Sequence, residues 1–234
     1  MDVSSCARDA ADLAGRVLAA LRGSGGVGLA DFLDSCADPT AALGAVLGAV
    51  RLVGADVLLP HVVLDSPLAA RDAEVVVPSF DAFPPVTEPV SARQRVMAWH
   101  DWSTARLPAR LTGEPPVTTP ADPDAVLGPA REWSRWSVAV AQLSSAAHPG
   151  ATGPVVDAVT AQPLALCRGT VRTVLRRDFG TASRLARWVA FAHATGVRLP
   201  LDPVPLVEHV GARVGAEPRR LLDLAVARHL VGVA

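Results

Sequence analysis

Thr181-Ala182-Ser183-Arg184-Leu185-Ala186-Arg187-Trp188-Val189-Ala190-Phe191-Ala192-His193-Ala194-Thr195 is the stretch whose reading decides the fold. Leu185, Trp188, Val189 and Ala192 recur at three- and four-residue intervals, which puts them on one face of an α-helix. Strong helix formers fill the positions between them, and no proline or glycine interrupts. Working outward, the same Ala, Leu, Val and Arg spacing recurs along most of the chain. We therefore expect an all-α, multi-helix protein with a less regular N-terminal helical segment.

Towards the C-terminus, helices are expected near 203–214 and 218–231. Asp202-Pro203 and Glu217-Pro218 place a proline in each first turn, where its missing N–H costs nothing. Towards the N-terminus, a helix is expected near 155–177 and a long one from about Asp124 to Ala147, stopped by Pro149-Gly150. A further helix near 91–107 precedes a Pro-rich loop, Pro108–Pro123. A first helix, Ser5 to Arg22, carries Ala11, Leu13, Val17, Leu18 and Leu21 on one face. Two others are expected near 29–36 and 39–53, the latter with Asp38 as cap. Residues 54–90 are ambiguous. Val57-Leu58-Leu59 and Val75-Val76-Val77 have the β-branched character of short strands, whereas six prolines favour a crossing connection. A domain boundary is expected there, giving residues 1–90 and 91–234.

Composition narrows function by exclusion. The 234 residues contain no lysine, tyrosine, asparagine or isoleucine, so all 22 basic side chains are arginine. Schiff-base lysines, tyrosine acids and asparagine oxyanion donors are thereby removed. The missing residues share AT-rich codons, so a GC-rich bacterial or viral coding sequence accounts for the bias. The net charge of -1 hides a polarised chain: residues 1–149 are acidic and residues 150–234 are basic, which favours a charged partner. Cys6, Cys36 and Cys167 fit neither a disulfide framework nor a zinc site. With no signal sequence or membrane span recognised, a cytoplasmic location is expected, the nucleus being the other option.

Several motifs have a plain structural reading. Gly23-Ser24-Gly25-Gly26-Val27-Gly28 matches G-x-G-x-x-G, but it follows a helical pattern where a dinucleotide site needs a strand. His100-Asp101 suggests a general base, yet helix neighbours point about 100° apart. His61, His148, His193, His209 and His229 lack metal-ligand spacing, and no cofactor is expected. Trp99/Trp102 and Trp133/Trp136, each at i,i+3, read as packing of two helices through indole rings. Gly211 to Gly215 has the look of a helix-turn-helix turn, but the helix that follows is too apolar to read a DNA groove.

Arg168, Arg172 and Arg176, at i, i+4 and i+8, make a cationic stripe suited to carboxylates or phosphates. The simplest reading is a solvated face. An acidic partner is the functional one.

Thr170-Val171, Leu175, Arg177-Asp178, Arg187, Val189-Ala190-Phe191, Gly196-Val197 and Pro205-Leu206-Val207-Glu208 follow one another in an order that resembles the first Bcl homology motif of the B-cell-lymphoma apoptosis regulators. The similarity is strongest over residues 165–210, with Arg184-Leu185-Ala186 standing where that family has Asn-Trp-Gly. It implies a multi-helix bundle around a central hydrophobic helical hairpin, with a groove that takes an amphipathic partner helix. By that resemblance Arg187 pairs with an aspartate of the bound helix, Ala186 replaces the motif glycine, and Trp188 and Phe191 lie beside them. The expected function is thus a non-enzymatic interaction or regulatory protein, possessing an apolar groove with an arginine rim. A viral modulator of apoptosis or host signalling, or a bacterial adaptor, fits that description. The alternative is an enzyme or accessory protein of GC-rich bacterial secondary metabolism, binding an anionic small molecule through Arg168, Arg172 and Arg176 with His100 or Glu132. Nucleic acid is disfavoured by the near-neutral total charge.

Overall fold

The computed structural model describes residues 3–24, 28–34, 39–65, 68–112, 118–120 and 122–233. Gly25 to Val27 of the glycine cluster, Cys36, the Asp38 cap and the middle of the Pro-rich stretch lie outside the described residues. Among those described, every regular element is helical. The all-α, multi-helix reading holds.

Two compact units form: residues 1–90 with 97–119, and residues 91–96 with 120–234. Unit 1 contains α1 (Val3–Leu21), α2 (Leu29–Asp34), α3 (Pro39–Val53), a 3-10 turn (Gly54–Leu58), α4 (Leu59–Val63) and α5 (Ala70–Ala82). The next helix, α6 (Ala92–Thr112), has its first turn grouped with unit 2 and the rest with unit 1. Val57-Leu58-Leu59 and Val75-Val76-Val77 are therefore not strands. They lie in the 3-10/α4 segment and in α5, with Val57, Leu58 and Leu59 entirely buried. Burying such side chains stabilises by about 1.5–3 kcal/mol each, more than the few tenths by which β-branching disfavours a helix. Tertiary packing decides here.

Inside unit 1, α1 packs on α3, and α5 packs on both α2 and α3. Leu13, Ala14 and Val17 of α1 are wholly buried. Asp72 of α5 reaches across to accept the Ala30 N–H of α2 at 3.1 Å, a cap supplied by tertiary structure. Helical residues Leu43–Val63 are long and apolar enough to cross a membrane by length and composition, and 72% of their most apolar window is buried inside the protein.

Unit 2 contains α7 (Asp124–Leu127), α8 (Trp133–Gln142), α9 (Pro154–Thr160), α10 (Pro163–Leu175), α11 (Phe179–Ala194), α12 (Pro203–Gly211) and α13 (Pro218–Leu230), with 3-10 turns at Ala130–Glu132 and Ser144–Ala146. The expected long helix 124–147 is broken. Gly128 adopts φ +69° and Pro129 follows it, so no helical ladder can pass. Pro163 similarly splits the expected 155–177 helix. By contrast α6 runs through Pro108 to Thr112, beyond its expected end. It forgoes the hydrogen bond that the proline nitrogen cannot donate.

The quoted stretch is the hub of unit 2. α11 packs against α8, α10, α12 and α13, and every residue from Leu185 to Ala192 is buried. Asp178 caps α11 by accepting the Thr181 N–H at 3.0 Å. Asp202 and Glu217 cap α12 and α13 in the same way, ahead of Pro203 and Pro218.

α10 ends in a left-handed turn at an arginine. Arg177 has φ +57°, and its N–H reaches Val174 O at 2.9 Å while the Asp178 N–H reaches Thr173 O at 3.0 Å. α11 closes with the same pair of bonds, but on Gly196 at φ +84°, the residue this turn ordinarily selects. Arg177→Gly is therefore expected to stabilise unit 2 by about 0.5–1 kcal/mol, by relieving contact between Cβ and backbone. A raised urea midpoint at unchanged slope would show it; a lowered midpoint would mean that the arginine side chain holds the turn.

Candidate functional site

Three polar features stand out, and the first is internal. Arg187 is completely buried and forms an ion pair with Asp223 of α13, Nη1 lying 3.2 Å from Oδ1. It also donates from Nε to Ala147 O at 2.7 Å and from Nη2 to Ser145 O at 3.4 Å. The half-exposed Arg184 approaches the other Asp223 oxygen at 4.0 Å. Ala186 and Trp188 are wholly buried and Phe191 nearly so. Trp188 donates to Val140 O at 3.0 Å and meets Phe191 edge to face. These four residues, expected at a groove, sit in the core. The carboxylate that the Bcl resemblance assigns to a partner helix is supplied here by the chain itself. A guanidinium without exposed surface is a clamp between α11, α13 and the 144–147 turn.

The second feature lies in unit 1. Arg51 of α3 makes a close ion contact with Asp101 of α6, 2.7 Å and not aligned as a hydrogen bond, and stacks on Phe80 of α5 at 4.0 Å. Its Nε and Nη1 are enclosed and have no hydrogen-bond partner. Burial pushes the Arg51 pKa down from its ordinary value, and Asp101 opposes that shift. His100 stands 3.9 Å from Asp101, with its imidazole against Gly54. At φ +71°, a Cβ on Gly54 would come within 2.4 Å of that ring. So tight a fit sets the start of the 3-10 turn against α6 and leaves no room between Gly54 and the imidazole. The two indole pairs fall in different units: Trp99 and Trp102 are buried in unit 1 and touch edge to face, whereas Trp136 is buried and Trp133 half-buried in unit 2.

The third feature is open. α10 turns Ala165, Leu166, Cys167, Gly169, Thr170 and Thr173 inward. Burial raises the Cys167 thiol pKa, partly offset by a backbone hydrogen bond from Leu201. The outward face carries Leu164, Val171 and Leu175, which are 51%, 42% and 77% exposed. Beside them run Arg168 and Arg176, exposed, and Arg172, half-buried. At about 100° per residue the three aliphatics share an arc of about 40°, with the arginines on one side of it. The ridge thus sets a greasy strip beside a cationic row that winds away from it, Arg168 nearest and Arg176 furthest. Sequence reasoning found the arginines by their spacing but not the exposure of the aliphatics, because leucine and valine are ordinarily read as core.

Of the residues of the small-molecule alternative, His100 belongs to unit 1 and the three arginines to unit 2, and Glu132 is half-exposed beside Arg135. Among the described residues no group of three or more His, Cys, Asp or Glu side chains is placed to hold a metal ion.

Fold and ridge together define an all-α protein with one mixed aliphatic–cationic face. No protein-family model, no curated protein and no solved structure matches the chain.

Proposed function

We propose that this chain is a non-enzymatic interaction protein that docks a partner on the outer face of α10. The observation carrying this reading is the exposure of Leu164, Val171 and Leu175 in one row beside Arg168, Arg172 and Arg176. Three large aliphatics on one short helix leave apolar area in water that a partner would cover. None of the three arginines forms an ion pair among the described residues. Their charge is therefore available to an acidic segment. The reading shifts the docking place from a groove around Arg187 to a ridge one helix away. The Bcl-like similarity extends it to a regulator of cell death or host signalling; in a bacterium the same face suits an adaptor.

Arg168→Glu/Arg172→Glu tests the proposal. With a photo-crosslinking residue at Leu175 in the source cells, the unaltered protein is expected to yield a discrete adduct. The double reversal should weaken it about ten-fold or more, since attraction becomes repulsion across the contact. The same adduct pattern from a crosslinker at exposed Arg213, or an adduct indifferent to the reversal, would remove the ridge from consideration.

A further inference from the structure

We infer that the partner segment docking on α10 is itself an amphipathic helix, with carboxylates at i, i+4 and i+8 along one edge of an aliphatic stripe. This rests on the docking reading above and adds the partner's shape and chemistry. Arg168, Arg172 and Arg176 follow one another at about 6 Å along the helix axis, and the Leu164–Val171–Leu175 row lies alongside them on the same exposed face. A ligand must therefore present two different rows at once, acidic and aliphatic, side by side.

A helix does so directly. Its i,i+4 and i,i+3 positions form adjacent ridges that interdigitate with those of a second helix. An extended segment sends alternate side chains to opposite faces, so it offers only one row to a surface. Strand addition also requires an open sheet edge, and the described residues contain no strand. Charge complementarity sets the carboxylate side. Because the arginines flank the aliphatic row on one side only, a partner with its acids on the wrong edge would set them over Val174 and Cys167, which are half-buried and buried. That one-sidedness also separates a helix from an anionic bilayer, a laterally uniform surface that satisfies cations on either flank of an apolar stripe equally well.

The test uses the full chain and three probes: an 18-residue helical peptide with leucines in one stripe and glutamates at i, i+4 and i+8 on its matching edge; an edge-swapped peptide of identical composition; and phosphatidylserine vesicles. Binding is read by calorimetry and by amide NMR shifts in α10. The matched peptide is expected to bind about ten-fold more tightly than the swapped one, and to lose that margin with Arg168→Glu/Arg172→Glu. Equal affinity of the two peptides would overturn the inference, leaving only charge. So would shifts in α10 caused by vesicles and not by either peptide. Failure of all three probes would overturn it too, and a persisting Leu175 adduct in cells would then show that the docking reading survives without a helical partner.

Discussion

Asp223→Ala is expected to destabilise unit 2 by about 3–5 kcal/mol, because it takes from a buried guanidinium the counter-charge that Asp223 supplies. Arginine cannot shed its proton to escape that penalty. Arg187 has no exposed surface, and Ala147 O and Ser145 O, which also accept from it, are neutral carbonyls. They hold the guanidinium in place but cannot balance it. Urea unfolding monitored by tryptophan fluorescence would give the value, since Trp188 lies next to Arg187 in the sequence and is wholly buried. A loss below about 1 kcal/mol would mean that the charge reaches water, and that the clamp is weaker than its geometry. The double variant Arg187→Met/Asp223→Leu should cost less than Asp223→Ala alone, because removing both charges together leaves nothing stranded. A double variant costing the sum of its singles would contradict the ion-pair account.

Gly169→Val is expected to cost about 3 kcal/mol, at the upper end for forced overpacking. Gly169 is the point where α10 meets α8. A Cβ built there would stand 2.2 Å from Ser137 Cβ and 2.5 Å from its Oγ. A Cβ cannot rotate away as the end of a long side chain can, so the helices must separate. Alanine at position 169 gains about 1 kcal/mol of helix propensity against that clash, so its net cost is smaller. The rescue is specific. Ser137→Gly removes the opposing atoms, and Gly169→Ala/Ser137→Gly should recover most of the melting temperature lost by Gly169→Ala. Absence of rescue would place the conflict elsewhere on α10.

Much of this architecture was legible in residue spacing, and the exceptions have physical causes. The quoted α11 stretch and the first-turn prolines Pro203 and Pro218 read correctly, because each local preference agrees with the packing. The interruption at Gly128-Pro129 was written in the chain but overridden by apolar periodicity on both sides of it. Val57-Leu58-Leu59 and Val75-Val76-Val77 misled because β-branching is a weak preference, reversed by burial. For the candidate site, the i, i+4, i+8 arginines were visible. Arg187 attracted notice, but nothing local distinguishes Asp223 from the other acids as its partner, since the pair spans 36 positions. Whether an aliphatic side chain points into the core or out of it depends on neighbouring helices, which is why the exposure of Leu164, Val171 and Leu175 was not legible.

That separation has a consequence in time. A ribosome adding about 5–20 residues per second needs some seconds to make the chain from Arg187 to Asp223. Until then the hub helix lacks the carboxylate that Arg187 pairs with in the folded unit, so this clamp cannot close as the helix emerges. Unit 2 should therefore mature late, as a whole, with its hub helix open to chaperones throughout the delay.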